Sequence, residues 1–234
     1  MRTAAPVAPG KPHQGAGRRG FTLVELLVAL VVMSLLSLMS WRGLEAMGRS
    51  QRLTQARADE VQALQSGLAQ WGADLDAMAT DLSNPRAANS LPSALDWNGL
   101  LLRITRGCSS GAESGLCVVG WTLGEDQGRK VWLRWQSPPV QTQAALQLAW
   151  QQAALWSQSP TAASRARQVP ITPLLDWQLY YNRGGAWSNP GSSSEAATTT
   201  PDGVRLVLNL PPDQALAGTL TRDWIRPTAV GEKS

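Results

Sequence analysis

The chain has 234 residues, enough for one globular domain and an anchoring segment. Its formal charge of +4 originates in residues 1–20, which hold Arg2, Lys11, Arg18 and Arg19 and no acid, whereas residues 21–234 balance 17 basic against 17 acidic side chains. That balance argues against nucleic acid as a partner, and the sole histidine, His13, lies in the same basic stretch, so the rest of the chain lacks the commonest general base and metal ligand.

Residues 1–20 are basic and rich in Gly and Pro, and they read as a leader. They give way at Gly20-Phe21-Thr22-Leu23-Val24-Glu25 to an apolar run that reaches Trp41 with Glu25 as its only charge. Residues 21–41 make about 31 Å of helix at ~1.5 Å per residue, the thickness of a hydrocarbon core. Twelve of these residues are Phe, Leu or Val. Their insertion gains about 4–7 kcal/mol, more than the roughly 2.5–3.5 kcal/mol that an acid costs at mid-membrane, and Glu25 sits near one end. Arg18 and Arg19 on the near side place the N-terminus in the cytoplasm. A cut after Gly20 would free the α-amino group of Phe21, a cation within about one helical turn of Glu25, in the same molecule or a neighbour. A secretory signal peptide would have a shorter apolar stretch and small residues at its far end; here that end reads Ser-Trp-Arg-Gly-Leu-Glu.

Beyond the anchor, Val61, Leu64, Leu68, Trp71, Leu75, Met78 and Leu82 recur at spacings of three and four, the mark of an amphipathic helix. No proline intervenes between Phe21 and Asn84, so one helix is expected to run until Asn84-Pro85 stops it, with Gly43 and Gly48 as the natural place for a bend. Its stripe is expected to pack on a sheet of its own domain rather than in a coiled coil, for which Gly67, Gly72 and Trp71 are poor choices.

The remainder reads as short strands punctuated by Gly, Pro and Ser. Strands are expected over 99–105, 116–123, 130–136, 145–151, 153–157, 174–181, 204–210 and 219–225, with a short helix as the alternative over 145–157. Asn182-Arg183-Gly184-Gly185 predicts a hairpin turn into a strand over 186–188. The stretches 159–168 and 189–202 are low in complexity and predict mobile loops. Cys108 and Cys117 flank a Ser/Gly-rich segment; in an oxidising compartment they form a local disulfide worth roughly 2.5–3 kcal/mol, the alternative being free thiols on adjacent strands. Eleven tryptophans accompany a single phenylalanine. Trp132 and Trp135 fall on opposite faces of a strand, and the set reads as core and subunit contacts before it reads as a sugar-stacking surface.

The segment from Gly20 closely resembles the leader and helix start of type IV pilins and of type II secretion pseudopilins. Trp41-Arg42-Gly43-Leu44-Glu45-Ala46-Met47, Leu64 to Leu75, the aromatic strand Trp177-Gln178-Leu179-Tyr180-Tyr181 with Gly184-Gly185-Ala186-Trp187, and the apolar strand 204–210 are similar to the J-type minor pseudopilins. The resemblance implies an α+β pilin-like fold divided into a leader (1–20), a transmembrane half-helix (21–41), an amphipathic half-helix (42–84) and a β-rich domain (85–234). It implies cleavage by a prepilin peptidase between Gly20 and Phe21, N-methylation of Phe21, and a role for Glu25 in assembly. The implied place is an inner membrane crossed once, with the C-terminal domain in the periplasm. The implied partners are I-type and K-type minor pseudopilins, an inner-membrane assembly platform and the lipid bilayer, with no cofactor, metal or catalytic residue. The alternative is a minor pilin of a type IV pilus serving adhesion, motility or DNA uptake.

Overall fold

The computed structural model describes residues 20–79, 93–111, 113–190 and 200–227. A single long helix, α1 (Leu23–Asp76), opens the fold, and the chain divides into two compact units at Leu53/Thr54. In the first unit every large apolar side chain from Leu23 to Leu53 is exposed, and an 18-residue window of α1 reaches a mean hydropathy of 2.4. A helix bare of protein contacts and apolar all round is what a bilayer would cover. The helix is unbroken at Gly43 and Gly48.

The second unit is built on two antiparallel sheets. The first has β1 (Leu95–Trp97), β2 (Leu101–Ser110), β3 (Glu113–Asp126), β4 (Arg129–Gln136) and β5 (Gln168–Pro173), side by side in that order. Between β4 and β5 lie α2 (Gln143–Gln158) and α3 (Ala162–Arg165). The second sheet takes β6 (Asp176–Arg183), β7 (Ala186–Ser188), β8 (Gly203–Leu210) and β9 (Gly218–Ile225) in the order β7-β6-β8-β9.

The tryptophan parity holds. Trp132 joins Trp71, Leu75, Leu102, Ile104, Trp121, Leu206 and Leu208 in a core shared by α1 and both sheets, while Trp135 points to the other face, among Leu146, Ala149, Ala153 and Trp156 of α2. The first sheet is therefore apolar on both faces. Trp71, Trp121, Trp132, Trp135 and Trp156 are all buried, so they serve packing rather than a stacking surface. At Gly67 α1 packs tightly on the sheet, since a Cβ there would run into Ile171 Cγ2. The glycine that suits a coiled coil badly suits this contact well.

Four expectations need correction. The helix expected to reach Asn84 ends at Asp76, because the next residues pair with β2: Met78 bridges Arg106, Ala79 N donates to Thr105 O, and Gly107 N donates to Ala77 O. Leu82 and the Asn84-Pro85 stop lie outside the described residues. The strands expected over 145–151 and 153–157 are the one helix α2, capped by Thr142, whose Oγ1 accepts from Ala145 N. Its sixteen residues are mostly Ala, Leu and Gln with no β-branched member, a strong helix-forming set. The segment 159–168, expected as a loop, holds α3 under a Thr161 cap and enters β5 at Gln168. Strands β1 and β5 were not foreseen; Pro170 and Pro173 disguise β5, which tolerates them as the sheet's edge. Of the second low-complexity stretch, residues 191–199 lie outside the described residues.

The remaining strands fall where the alternation puts them, shifted by a few residues at their ends. Gly184 and Gly185 form the two-residue hairpin between β6 and β7 with φ of 56° and 86°, values that suit glycine, and Asn182 Oδ1 accepts from Gly185 N at 3.3 Å.

Candidate processing and assembly site

Gly20, Phe21 and Glu25 lie together where α1 begins. Gly20 is exposed with nothing within 4 Å of the position its Cβ would take, and Phe21 is 84% exposed. Neither belongs to the helix, so the Gly20–Phe21 peptide bond is presented in non-helical chain just before the first turn. Thr22 provides the cap: its Oγ1 accepts from Glu25 N at 3.3 Å, and its carbonyl accepts from Glu25 N and Leu26 N. Thr22 and Glu25 therefore stand at capping-box spacing, with the carboxylate in the first turn, where the helix dipole favours negative charge. Glu25 forms no ion pair with any described residue. A carboxylate at the positive end of a bare apolar helix can accept one more cation.

The other end of α1 carries a second carboxylate in the opposite condition. Asp74 is fully buried, and five donors from four side chains converge on it. Arg134 of β4 donates through Nε at 2.8 Å to Oδ2 and through Nη2 at 2.8 Å to Oδ1. Arg106 of β2 donates Nη1 to Oδ1, Trp121 of β3 donates Nε1 to Oδ2 at 2.9 Å, and Gln70 of α1 donates Nε2 to Oδ1 at 2.9 Å. The helix is thereby fixed to three adjacent strands through one residue. Toward the second sheet, Trp224 Nε1 donates to Asp76 Oδ1 at 2.7 Å, and Ala215 N donates to Glu60 Oε2 at 2.8 Å.

The sequence points to none of these carboxylates individually, yet Asp74 carried a signal. It lies three residues after Trp71, on the apolar stripe, while Arg106 and Arg134 share the strand parity of Ile104 and Trp132. A charge repeated on the buried face of each of three elements is the mark of an internal ion network.

Cys108 and Cys117 are joined by a disulfide across the β2–β3 hairpin, their Cα atoms 5.8 Å apart, with Cys117 fully buried. The bridge lies beside the Arg106–Cys117 register pair and so supports the strand that delivers Arg106 to Asp74. Among the described residues no group of three His, Cys, Asp or Glu side chains is placed to hold a metal ion.

Residues 15–41 match the family described as the prokaryotic N-terminal methylation motif. The chain is also 25% identical over 205 residues to the type II secretion system protein J of Vibrio cholerae serotype O1, a likeness that spans 82% of this chain and 81% of that protein. The first similarity covers the Gly20–Glu25 end. The second, at 82% of this chain, reaches into the two-sheet domain.

Proposed function

We propose that this chain, a J-like minor pseudopilin held in a membrane by its N-terminal helix, is a non-enzymatic structural subunit of the tip complex of a type II secretion pseudopilus. The observation that carries the reading is the Gly20–Glu25 end: an exposed Gly-Phe bond followed at once by a capped apolar helix start whose first-turn carboxylate is paired with no described residue. A prepilin peptidase cuts after Gly20 and the freed Phe21 amine is methylated. When the helix packs beside its neighbours, Glu25 neutralises an amine, in its own chain or the next. Burying the pair together avoids the cost of an isolated carboxylate in lipid, so assembly is favoured over dispersed anchors. The N-terminus faces the cytoplasm, the anchor spans the inner membrane, and the two-sheet domain stands in the periplasm facing I-type and K-type partners. An oxidising periplasm suits the Cys108–Cys117 bridge. The absence of histidine from residues 21–234 supports a structural role over hydrolysis. No observation favours the type IV pilus alternative over this reading.

The test is mass spectrometry of the N-terminus of the chain purified from membranes. The expected first residue is N-methylated Phe21, and Gly20→Val abolishes the cut. A chain that still begins at Met1 in cells with active processing machinery overturns the proposal.

A further inference from the structure

Helix α2 has two apolar faces, and the fold uses one. Leu146, Ala149, Ala153 and Trp156 are buried against the first sheet. On the opposite side Ala144, Leu148, Gln151 and Leu155 are all exposed and recur at spacings of four, three and four. Leu148 is 55% and Leu155 64% exposed, in a helix with no charged residue along its length. That spacing is the seam a second helix packs into. The seam runs into a groove of ≈320 Å³ lined by Leu155, Trp156, Trp135, Ser164 and Arg167. The groove has a rigid floor, because Trp135 and Trp156 stack with ring centroids 6.0 Å apart and Trp156 Nε1 donates to Gln168 Oε1 at 2.9 Å. Arg167 is exposed and is the one charged side chain in the lining.

From this arrangement we infer that the outer face of α2 and its groove dock an amphipathic helix of another subunit, one that seats a Leu-sized side chain over Trp135 and Trp156 and carries a carboxylate within a turn of it for Arg167. Charge decides the occupant. A second copy presenting its own α2 brings no acid from that helix, since it has none. A membrane surface selects helices whose polar face is rich in Lys or Arg, and the polar positions here are glutamines. An acid-flanked apolar helix satisfies the seam and the cation together, the helix-in-groove mode of recognition.

The inference rests on the chain being an assembly subunit, but on different residues from the leader end. The experiment places a photoreactive amino acid at position 155 of the full chain in cells that contain the assembled machinery, with position 221 on exposed β9 as control. The expected adduct is a peptide of a different polypeptide, helical in pattern, with an Asp or Glu within four residues of the attachment point. Arg167→Glu lowers its yield on the order of tenfold or more and Arg167→Lys preserves it, as expected for a central anchor. Leu148→Ser with Leu155→Ser, both exposed and so neutral to folding, loosens co-purification of that polypeptide by a similar factor while thermal unfolding stays unchanged. Adducts to lipid, adducts to a second copy, yields no higher than at position 221, or indifference to Arg167→Glu each overturn the inference. Loss of the position-155 adduct in a chain still dependent on Glu25 defeats this inference alone; an intact adduct in a chain indifferent to Glu25 defeats only the amine-pairing reading.

Discussion

Replacing Asp74 by Asn keeps the volume and removes the charge on which two guanidinium groups depend. Arg106 and Arg134 have side chains only 19% and 11% exposed, so they cannot turn to bulk water without leaving the network. The amide offers one oxygen in place of two, and its NH2 group faces N–H donors. Removing one partner from a buried ion pair costs about 3–5 kcal/mol, most of it from stranding the remaining charge. At roughly 2–4 °C of Tm per kcal/mol for a domain of this size, Asp74→Asn is expected to lower the melting temperature by about 6–20 °C. The assay is thermal unfolding of the full processed chain in detergent, followed by tryptophan fluorescence, to which the buried Trp71, Trp121 and Trp132 report directly. Adding Arg106→Met and Arg134→Met to Asp74→Asn is expected to recover a large part of the loss, since no cation is then stranded. A single mutant that melts within about 2 °C of the parent, a shift below that of 1 kcal/mol, would refute the claim that this carboxylate holds the helix to the sheet.

Three other perturbations probe the same unit. Cys108→Ser with Cys117→Ser is expected to cost about 2–3 kcal/mol in urea unfolding, with the hairpin otherwise intact; an unchanged midpoint would show that the bridge constrains nothing. Gly67→Ala forces a methyl onto the stiff Ile171 side chain with Trp132 behind it and should destabilise by about 1–3 kcal/mol, whereas Gly72→Ala, facing open space, should stabilise by roughly 0.5–1 kcal/mol. Burial, with the nearby Asp96 charge adding to it, pushes the Tyr181 hydroxyl well above its ordinary 10.0. The unfolded chain thus releases that proton first, so this group's contribution to stability is complete below the ordinary tyrosine pKa and declines as pH rises above it. Titration of phenolate absorbance should show the Tyr181 step displaced upward in the folded protein relative to the unfolded chain, and a folded titration that coincides with the unfolded one would contradict the burial of Tyr181.

What the sequence made legible is what period and turn chemistry encode. Alternation in β4 placed Trp132 and Trp135 on opposite faces, and the two glycines after Arg183 marked the β6–β7 hairpin, with β6 running two residues further than expected. The anchor needed only length and hydropathy. The misses have equally local causes. Residues 145–157 are apolar at too many positions for either period to stand out, so helix propensity, with no β-branched residue present, was the better guide. Pro85 drew the end of α1 outward, but the unfilled edge of β2 beyond β1 competes for the backbone of residues 77–79 and wins. The ion network escaped because each of its charges looks ordinary in its own segment. Only the shared face of Trp71, Ile104 and Trp132 reveals that Asp74, Arg106 and Arg134 meet.

Two of the carboxylates of α1, Glu25 and Asp74, are satisfied in opposite ways. Asp74 has all its partners inside the fold, so its charge ends in rigidity and presents nothing to a neighbour. Glu25 has a cap beneath it and no cation beside it among the described residues, and in the proposed reading it is neutralised by a new chain end or by another molecule. A glutamine at position 25 separates the two duties of that residue, because it keeps the capping-box spacing and loses the charge. Glu25→Gln should therefore leave the helix start and membrane insertion intact, with insertion if anything easier, and still fail to co-purify with partner subunits, the outcome also expected of Glu25→Ala. Full assembly of Glu25→Gln would assign the residue to the cap alone, and the pairing of acid with amine would no longer be needed to explain why a helix soluble in lipid leaves it for a filament.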